Sequence, residues 1–264
     1  VVLMSAAMLL VIGMAVFGSF VKVWPYNLSF TLNHYTYGFE EAGVENAYWN
    51  SLIVAGWCAL FGAAITFAGA YWMEKTRGFN ALRPVVQLMA MMPMAVPGMV
   101  LGIGYILFFN YPTNPLHFLY GTMAILVLST VIHFYSSSHL TAVTALKQLD
   151  NEFEAVSASL KVPFYKTFWR VTIPVCLPSI IDISRYYFVN AMTTISAVVF
   201  LYSPKTMLAS ISIVQLDEAG AIGSAAAMAT LIVVSSGVVT LLSFVAEGWL
   251  MRRTQRWRRA APTR

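Results

Sequence analysis

Among the residues able to do chemistry, Asp182 and Arg185 stand apart, because they lie three positions apart inside a long apolar run. That spacing puts both on one helix face, where an ion pair forms. Charges inside a bilayer are costly unless they pair or line a polar route, so the two read as a structural ion pair or a gate. They do not make a hydrolytic centre, which needs a nucleophile, a metal cluster or paired carboxylates facing one cavity. His133 and His139 have no carboxylate or cysteine at metal-ligand spacing and read as hydrogen-bonded helix-end residues. Cys58 and Cys176 sit in separate apolar contexts and read as packing residues, not as a disulfide or a metal site. The chain has no Gly-x-x-x-x-Gly-Lys-Ser/Thr loop, so nothing in it cradles the phosphates of ATP.

The elements that carry these residues are membrane helices. Of 264 residues, 59% are hydrophobic and 10% charged, and the mean hydropathy is +0.71. That composition leaves too little polar surface for a soluble globule, and the apolar runs are long enough to span a bilayer. Six runs, 1–23, 48–73, 84–109, 118–140, 173–202 and 225–250, predict an all-α, polytopic membrane helix bundle in a single domain, 1–264. Tyr48 and Trp49 open the second run and Tyr71 and Trp72 close it, as interfacial aromatics do. The chain begins with Val inside an apolar run, so the expectation is a sequence that starts within a larger protein or omits a start, not a cleaved leader.

The third run carries Pro93, Pro97, Gly98, Gly102 and Gly104. Each proline removes a backbone hydrogen bond, which membranes tolerate where neighbours or a water-lined cavity satisfy the freed groups. The run is therefore a kinked helix in the bundle; the small residues suit close packing, and Pro93, Pro97 and Gly98 are candidates for a translocation path. In the fifth run Asn190, Thr193, Thr194 and Ser196 add small polar groups to the same list. Residues 203–224 form an outer segment in which the Asp217–Gly223 stretch reads as a re-entrant or surface helix.

Between the fourth and fifth runs lies a polar stretch, Asp150 to Ile180. Asn151 caps a helix with Glu154 reaching back from the third position. Phe153, Val156 and Leu160 then make one apolar stripe, Pro163 ends the helix, and a second short helix follows with Phe164, Phe168 and Val171 on one side. The product is a helical elbow over 141–172, outside the bilayer core. Read without further context, it is an amphipathic helix on the membrane surface.

The order of residues in this elbow resembles the EAA loop of ABC-importer permeases: Glu154, Ala155 and Val156, then Pro163, then the Phe168–Pro174 stretch and Pro178. Leu160 occupies the family's glycine position. A leucine at positive φ is strained, so the bend must use another backbone geometry. The third run, the elbow and residues 195–230 look most like permeases of 2-aminoethylphosphonate importers, a branch related to ferric-iron, polyamine and sulfate permeases.

The resemblance implies a type I ABC importer (MetI-like) fold and a transport subunit that is not itself an enzyme. It implies that Phe153, Glu154, Ala155, Val156, Leu160, Pro163 and Phe164 dock on the ATPase. It implies no cofactor bound by this chain, with ATP and Mg held by two copies of a partner ABC ATPase. The other partners are a second permease half, identical, similar or fused in tandem, a periplasmic substrate-binding protein and membrane lipid. All Lys and Arg except Lys22, Arg185 and Lys205 fall on one side of the six runs, which places the elbow and both termini in the cytoplasm of a bacterial inner membrane. The basic tail is explained by orientation; nucleic-acid binding needs a folded basic domain. The contrasting class, a channel that works without an ATPase, predicts an elbow tolerant of substitution.

Overall fold

A computed structural model describes residues 2–36, 39–40, 44–75, 82–149, 156–157 and 159–254, the last three by backbone only. The described residues form a series of longer helices. They are α1 (Val2–Ser19), α2 (Glu45–Lys75), α3 (Arg83–Ala95), α4 (Gly98–Phe109), α5 (Met123–His133) and α6 (Tyr135–Lys147). Then come α7 (164–193), α8 (Ala209–Glu218) and α9 (Ile222–Thr254). α2 contains a π-turn at Cys58–Gly62 and α7 another at Phe168–Thr172. Among the described residues, α1, α2 and α9 are each long and apolar enough to cross a membrane. The pairs α3 with α4 and α5 with α6 qualify as broken spans.

Three expected runs are corrected. The first run ends as a helix at Ser19, and Val21–Val23 instead pairs antiparallel with Asn27–Phe30. Phe20 stacks on Phe30, and the Thr31 amide donates to the Phe20 carbonyl, so the chain leaves the helix through a small hairpin. The fourth run begins at Met123, not Phe118, and breaks at Phe134 before continuing to Lys147. The fifth is helical only to Thr193, because the backbone that follows finds its partners elsewhere.

The chain divides into two compact units. One gathers the described residues of Val1–Gly56, Gly98–Thr130 and Val189–Gly237. In it, residues 194–208 run irregularly yet include the fully buried Ala197, Val198 and Leu208. A buried backbone without helical hydrogen bonds needs other partners, and side chains supply them. Asn50 donates to the carbonyls of Lys205 and Met207, each at 3.0 Å. Ser129 donates to Ala197 at 2.7 Å, and Ser210 donates to Thr194 at 2.7 Å. Ser51 accepts the Ala209 amide at 2.8 Å, satisfying the first turn of α8. α8 ends at Gly220, φ 77°, with the Ala221 amide reaching back to Leu216 and that of Gly220 to Asp217, the paired bonds of a glycine-capped helix end. One face of α8, including Ser212 and Leu216, is buried.

The other unit gathers the described residues of Trp57–Pro97, Val131–Phe188 and Val238–Arg264. The end of α2, α3, α6 and most of α7 pack here. Tyr187 is fully buried and shares a 2.8 Å hydrogen bond with Thr66. Its ring lies so close to Gly62 that a Cβ there would come within 2.8 Å, which is why the π-turn carries glycine. Ser184 donates to the Ala59 carbonyl inside that turn at 3.1 Å.

Candidate functional site

The elbow is described from Val156 onward, apart from residue 158; Phe153, Glu154, Ala155 and the expected Asn151 cap lie outside the described residues. The Leu160 amide donates to the Val156 carbonyl at 2.9 Å, and the Val162 amide reaches back to Ser157 at 2.9 Å. Lys161 between them has φ 53°. This six-to-one bond around a left-handed residue resembles the first bond of a Schellman helix end, with Lys161 in the place usually held by glycine. The turn thus avoids a strained Leu160 by moving the left-handed position one residue on. Pro163, with φ −58° and ψ 139°, caps the next helix, which starts at Phe164.

Two contacts fix the far limb. Thr167 donates to the Ser157 hydroxyl at 3.0 Å, joining the limbs across the turn. Phe168 packs its ring against Tyr71, 4.5 Å between centroids, and against Phe67, anchoring the start of α7 on the end of α2. What remains outside is apolar: Val156, Leu160 and Phe164 are 56%, 69% and 75% exposed. Exposed large apolar side chains on a polar elbow are the kind of surface that a partner protein or a membrane covers.

The expected kink in the third run is a full break. Val96 is extended, Pro97 follows, and α4 starts at the buried Gly98. Pro93 lies inside α3. Ser136 of α6 donates to the Ala90 carbonyl at 2.8 Å and accepts the Met94 amide at 3.2 Å, so one hydroxyl serves both backbone groups beside the proline. Gly102 in α4 faces the Phe200 ring, where a Cβ would sit at 3.1 Å. That is the close packing expected of its small residues.

At the end of α7, Thr194 is buried, Thr193 is exposed and bonded back to its own helix, and Asn190 is half-buried. The Thr194 amide and carbonyl are both bonded, to Asn190 and to Ser210. These residues terminate the helix and hold the irregular segment that follows.

Asp182 and Arg185 form the expected ion pair on one face of α7. The guanidinium carbon lies 4.9 Å from the centre of the Phe244 ring of α9, a cation–π contact. The pair borders a cavity of about 270 Å3 that Ser137, Ser138 and Thr141 of α6 also line. Among the described residues no His, Cys, Asp and Glu group is placed to hold a metal. Cys58 and Cys176 are both buried among apolar side chains. His139 departs from its reading: it is buried with neither ring nitrogen hydrogen-bonded. Asn50, Ser51, Ser129 and Ser210 escaped the sequence reading, since single polar residues within apolar runs give no local sign of their distant acceptors.

A family model described as binding-protein-dependent transport system inner membrane component matches residues 60–256. The chain belongs to this family. This permease chain is 32% identical over 248 residues to the ferric transport system permease protein FbpB of Actinobacillus pleuropneumoniae, covering 92% of the chain but 35% of that relative. It thus spans about a third of that protein's length. It is 23% identical over 216 residues to a putative 2-aminoethylphosphonate transport system permease protein of Salmonella paratyphi A, covering 81% of the chain and 77% of the relative. A bacterial ABC transporter involved in import of the acidic polysaccharide alginate shares the fold, with a TM-score of 0.72, 16% identity and 96% of each chain covered. The MetNI methionine ABC transporter does so with a TM-score of 0.63 and 12% identity over 78% of this chain and 94% of that one. The expected MetI-like fold is therefore present.

Proposed function

We propose that this chain is the membrane permease of a binding-protein-dependent ABC importer, with residues 153–164 as its ATPase-docking elbow. The exposed Val156, Leu160 and Phe164, held by the turn at Lys161, carry this reading. The elbow inserts into a groove on one of two partner ATPases, which bind ATP and Mg, and the elbow of the second permease half docks on the other. Closure of the ATPases draws two elbows together, and the spans joined to them through Phe168 rock the chain between inward-facing and outward-facing states. A second permease half completes the path, a periplasmic binding protein delivers the cargo, and both termini face the cytoplasm. Pro93, Pro97, Gly98, Asn190, Thr193 and Thr194 belong to the path and its hinges, and Asp182 with Arg185 to a structural pair or gate.

Ferric iron is the favoured cargo, because the relative that is 32% identical is a ferric permease. The phosphonate likeness read in the sequence takes second place, supported by relatives at 23% identity that match over most of their length. Uptake of labelled ferric iron and of 2-aminoethylphosphonate by cells carrying the native system separates the two. Glu154→Lys reverses charge at the docking helix and abolishes uptake while the chain stays in the membrane. Normal uptake by that variant would remove the coupling role.

A further inference from the structure

The turn from α8 into α9 gathers hydrogen-bond donors that the helices themselves leave unused. α8 closes at Gly220 and Ala221, whose amides bond back to Asp217 and Leu216, and the Ala225 amide makes the first bond of α9, to the Ala221 carbonyl. The amides of Ile222, Gly223 and Ser224 lie ahead of that bond, in the first turn, where a helix has no acceptors of its own to offer. α9 runs for 33 residues, and the positive end of its dipole is at this turn.

Ser224 adds an independent observation. It is 5% exposed, yet its hydroxyl bonds to no described residue. Unlike the enclosed Ser138 hydroxyl, it keeps accessible surface, and the residue lines a cavity of about 370 Å3. A hydroxyl so buried and unmet points to a partner in the cavity it borders. Lys22, from the hairpin after α1, lines the same cavity; it is exposed and makes no ion pair among the described residues. His34 closes another wall. Its Nε2 donates to the Val21 carbonyl at 2.9 Å, and its ring occupies the space that a Cβ on Gly223 would need, so the glycine is what lets it reach the helix start.

The charge of the lining decides the charge of the occupant. It holds one ammonium and no carboxylate; Asp217 and Glu218 are exposed on α8 and lie outside it. The lining side chains that can accept are Asn33 and His34 at Nδ1, and each can instead donate, by an amide flip or by protonation. Amides, hydroxyl and ammonium together favour an oxyanion over water, and a phosphate offers them three or four oxygens where a carboxylate offers two.

We propose that this cavity binds one phosphate group, held by the first-turn amides of α9 and the Ser224 hydroxyl and neutralised by Lys22. A lipid headgroup and free phosphate present the same chemistry here. A Cβ at Gly18 would lie 3.8 Å from that of Ala226, so the cavity sits where two membrane-crossing helices end, and Trp24 on its wall is a residue of membrane interfaces. The inference rests on α1 and α9 as membrane helices and not on the elbow or the cargo.

Hydrogen exchange over residues 219–226 of the assembled complex reads this site apart from phosphate held elsewhere. The complex in neutral detergent is compared in inorganic phosphate and in sodium chloride of equal ionic strength. It is then compared in micelles doped with phosphatidylglycerol or with a neutral glycolipid that lacks phosphate. Slower exchange of the 222–224 amides in inorganic phosphate establishes the site for the free anion; slowing with phosphatidylglycerol alone assigns it to a headgroup. Lys22→Gln, at an exposed position, raises the half-saturating concentration about fivefold, the worth of one cation facing an anion. Ser224→Ala also weakens the protection, without changing exchange in the middle of α9. No slowing in either arm overturns the site, as does equal slowing by chloride or by the neutral glycolipid. Protection undiminished by Lys22→Gln overturns it as well.

Discussion

Ser136 sits against Met94 so that its hydroxyl accepts the Met94 amide at 3.2 Å and donates to Ala90 at 2.8 Å, beside Pro93. A helix with an interior proline loses one bond and crowds the carbonyl four residues earlier. The serine of a neighbouring helix supplies partners at that weak point. Ser136→Ala removes them and is expected to lower stability by about 1 kcal/mol, the scale of interhelical hydrogen bonds in membranes. Thermal unfolding of the purified complex in detergent measures it; an unchanged midpoint would show that the α3 bend holds itself.

Gly62 and Tyr187 give a sharper prediction, because their approach leaves no room for a methyl group. Gly62→Ala pushes the Tyr187 ring away from its 2.8 Å bond to Thr66 and costs about 1–3 kcal/mol, the range for overpacked sites. Tyr187→Leu in the same chain restores part of the loss by freeing space. If the double variant is as unstable as the sum of the single ones, the two sites are not coupled.

At the elbow the left-handed residue is Lys161, not Leu160. Lys161→Gly removes a penalty of about 1 kcal/mol and is expected to slow hydrogen exchange of the Val162 amide, which closes the turn. Leu160→Gly leaves the turn geometry alone but deletes an exposed apolar side chain, so it weakens ATPase binding and leaves the chain in the membrane. Equal effects of the two substitutions on ATPase binding would contradict this division of labour.

The pair on α7 predicts asymmetry. Asp182→Ala takes from Arg185 the carboxylate it is bonded to, leaving a part-buried guanidinium with a weaker counter-charge, which is costly. It should reduce the inserted, folded yield more than the double substitution Asp182→Ala with Arg185→Leu. Quantitative immunoblots of membrane fractions check it, and a double variant with the lower yield would point to a role for Arg185 beyond the pair.

Some of this was legible in the chain alone. The apolar runs fix a membrane protein because burial in lipid needs length and composition more than precise contacts. The spacing of Asp182 and Arg185 fixes their pairing because helix geometry is local. The elbow was legible for the same reason: Pro163 and the apolar stripe through Val156 and Leu160 act within a few residues. Tertiary structure decided where a backbone group's partner lies far along the sequence. Asn50 reaches carbonyls more than 150 residues away, which allows residues 194–208 to leave the helix where hydropathy alone extends it. Ser136 supplies backbone partners beside Pro93 inside α3, and His139, locally a helix-end residue, becomes a buried group without a hydrogen-bond partner. Which residue takes the left-handed turn was also a structural outcome, since it depends on where the Val162 amide finds the Ser157 carbonyl. Periodicity and charge act through neighbours in sequence, whereas the pairing of buried polar groups is set by neighbours in space.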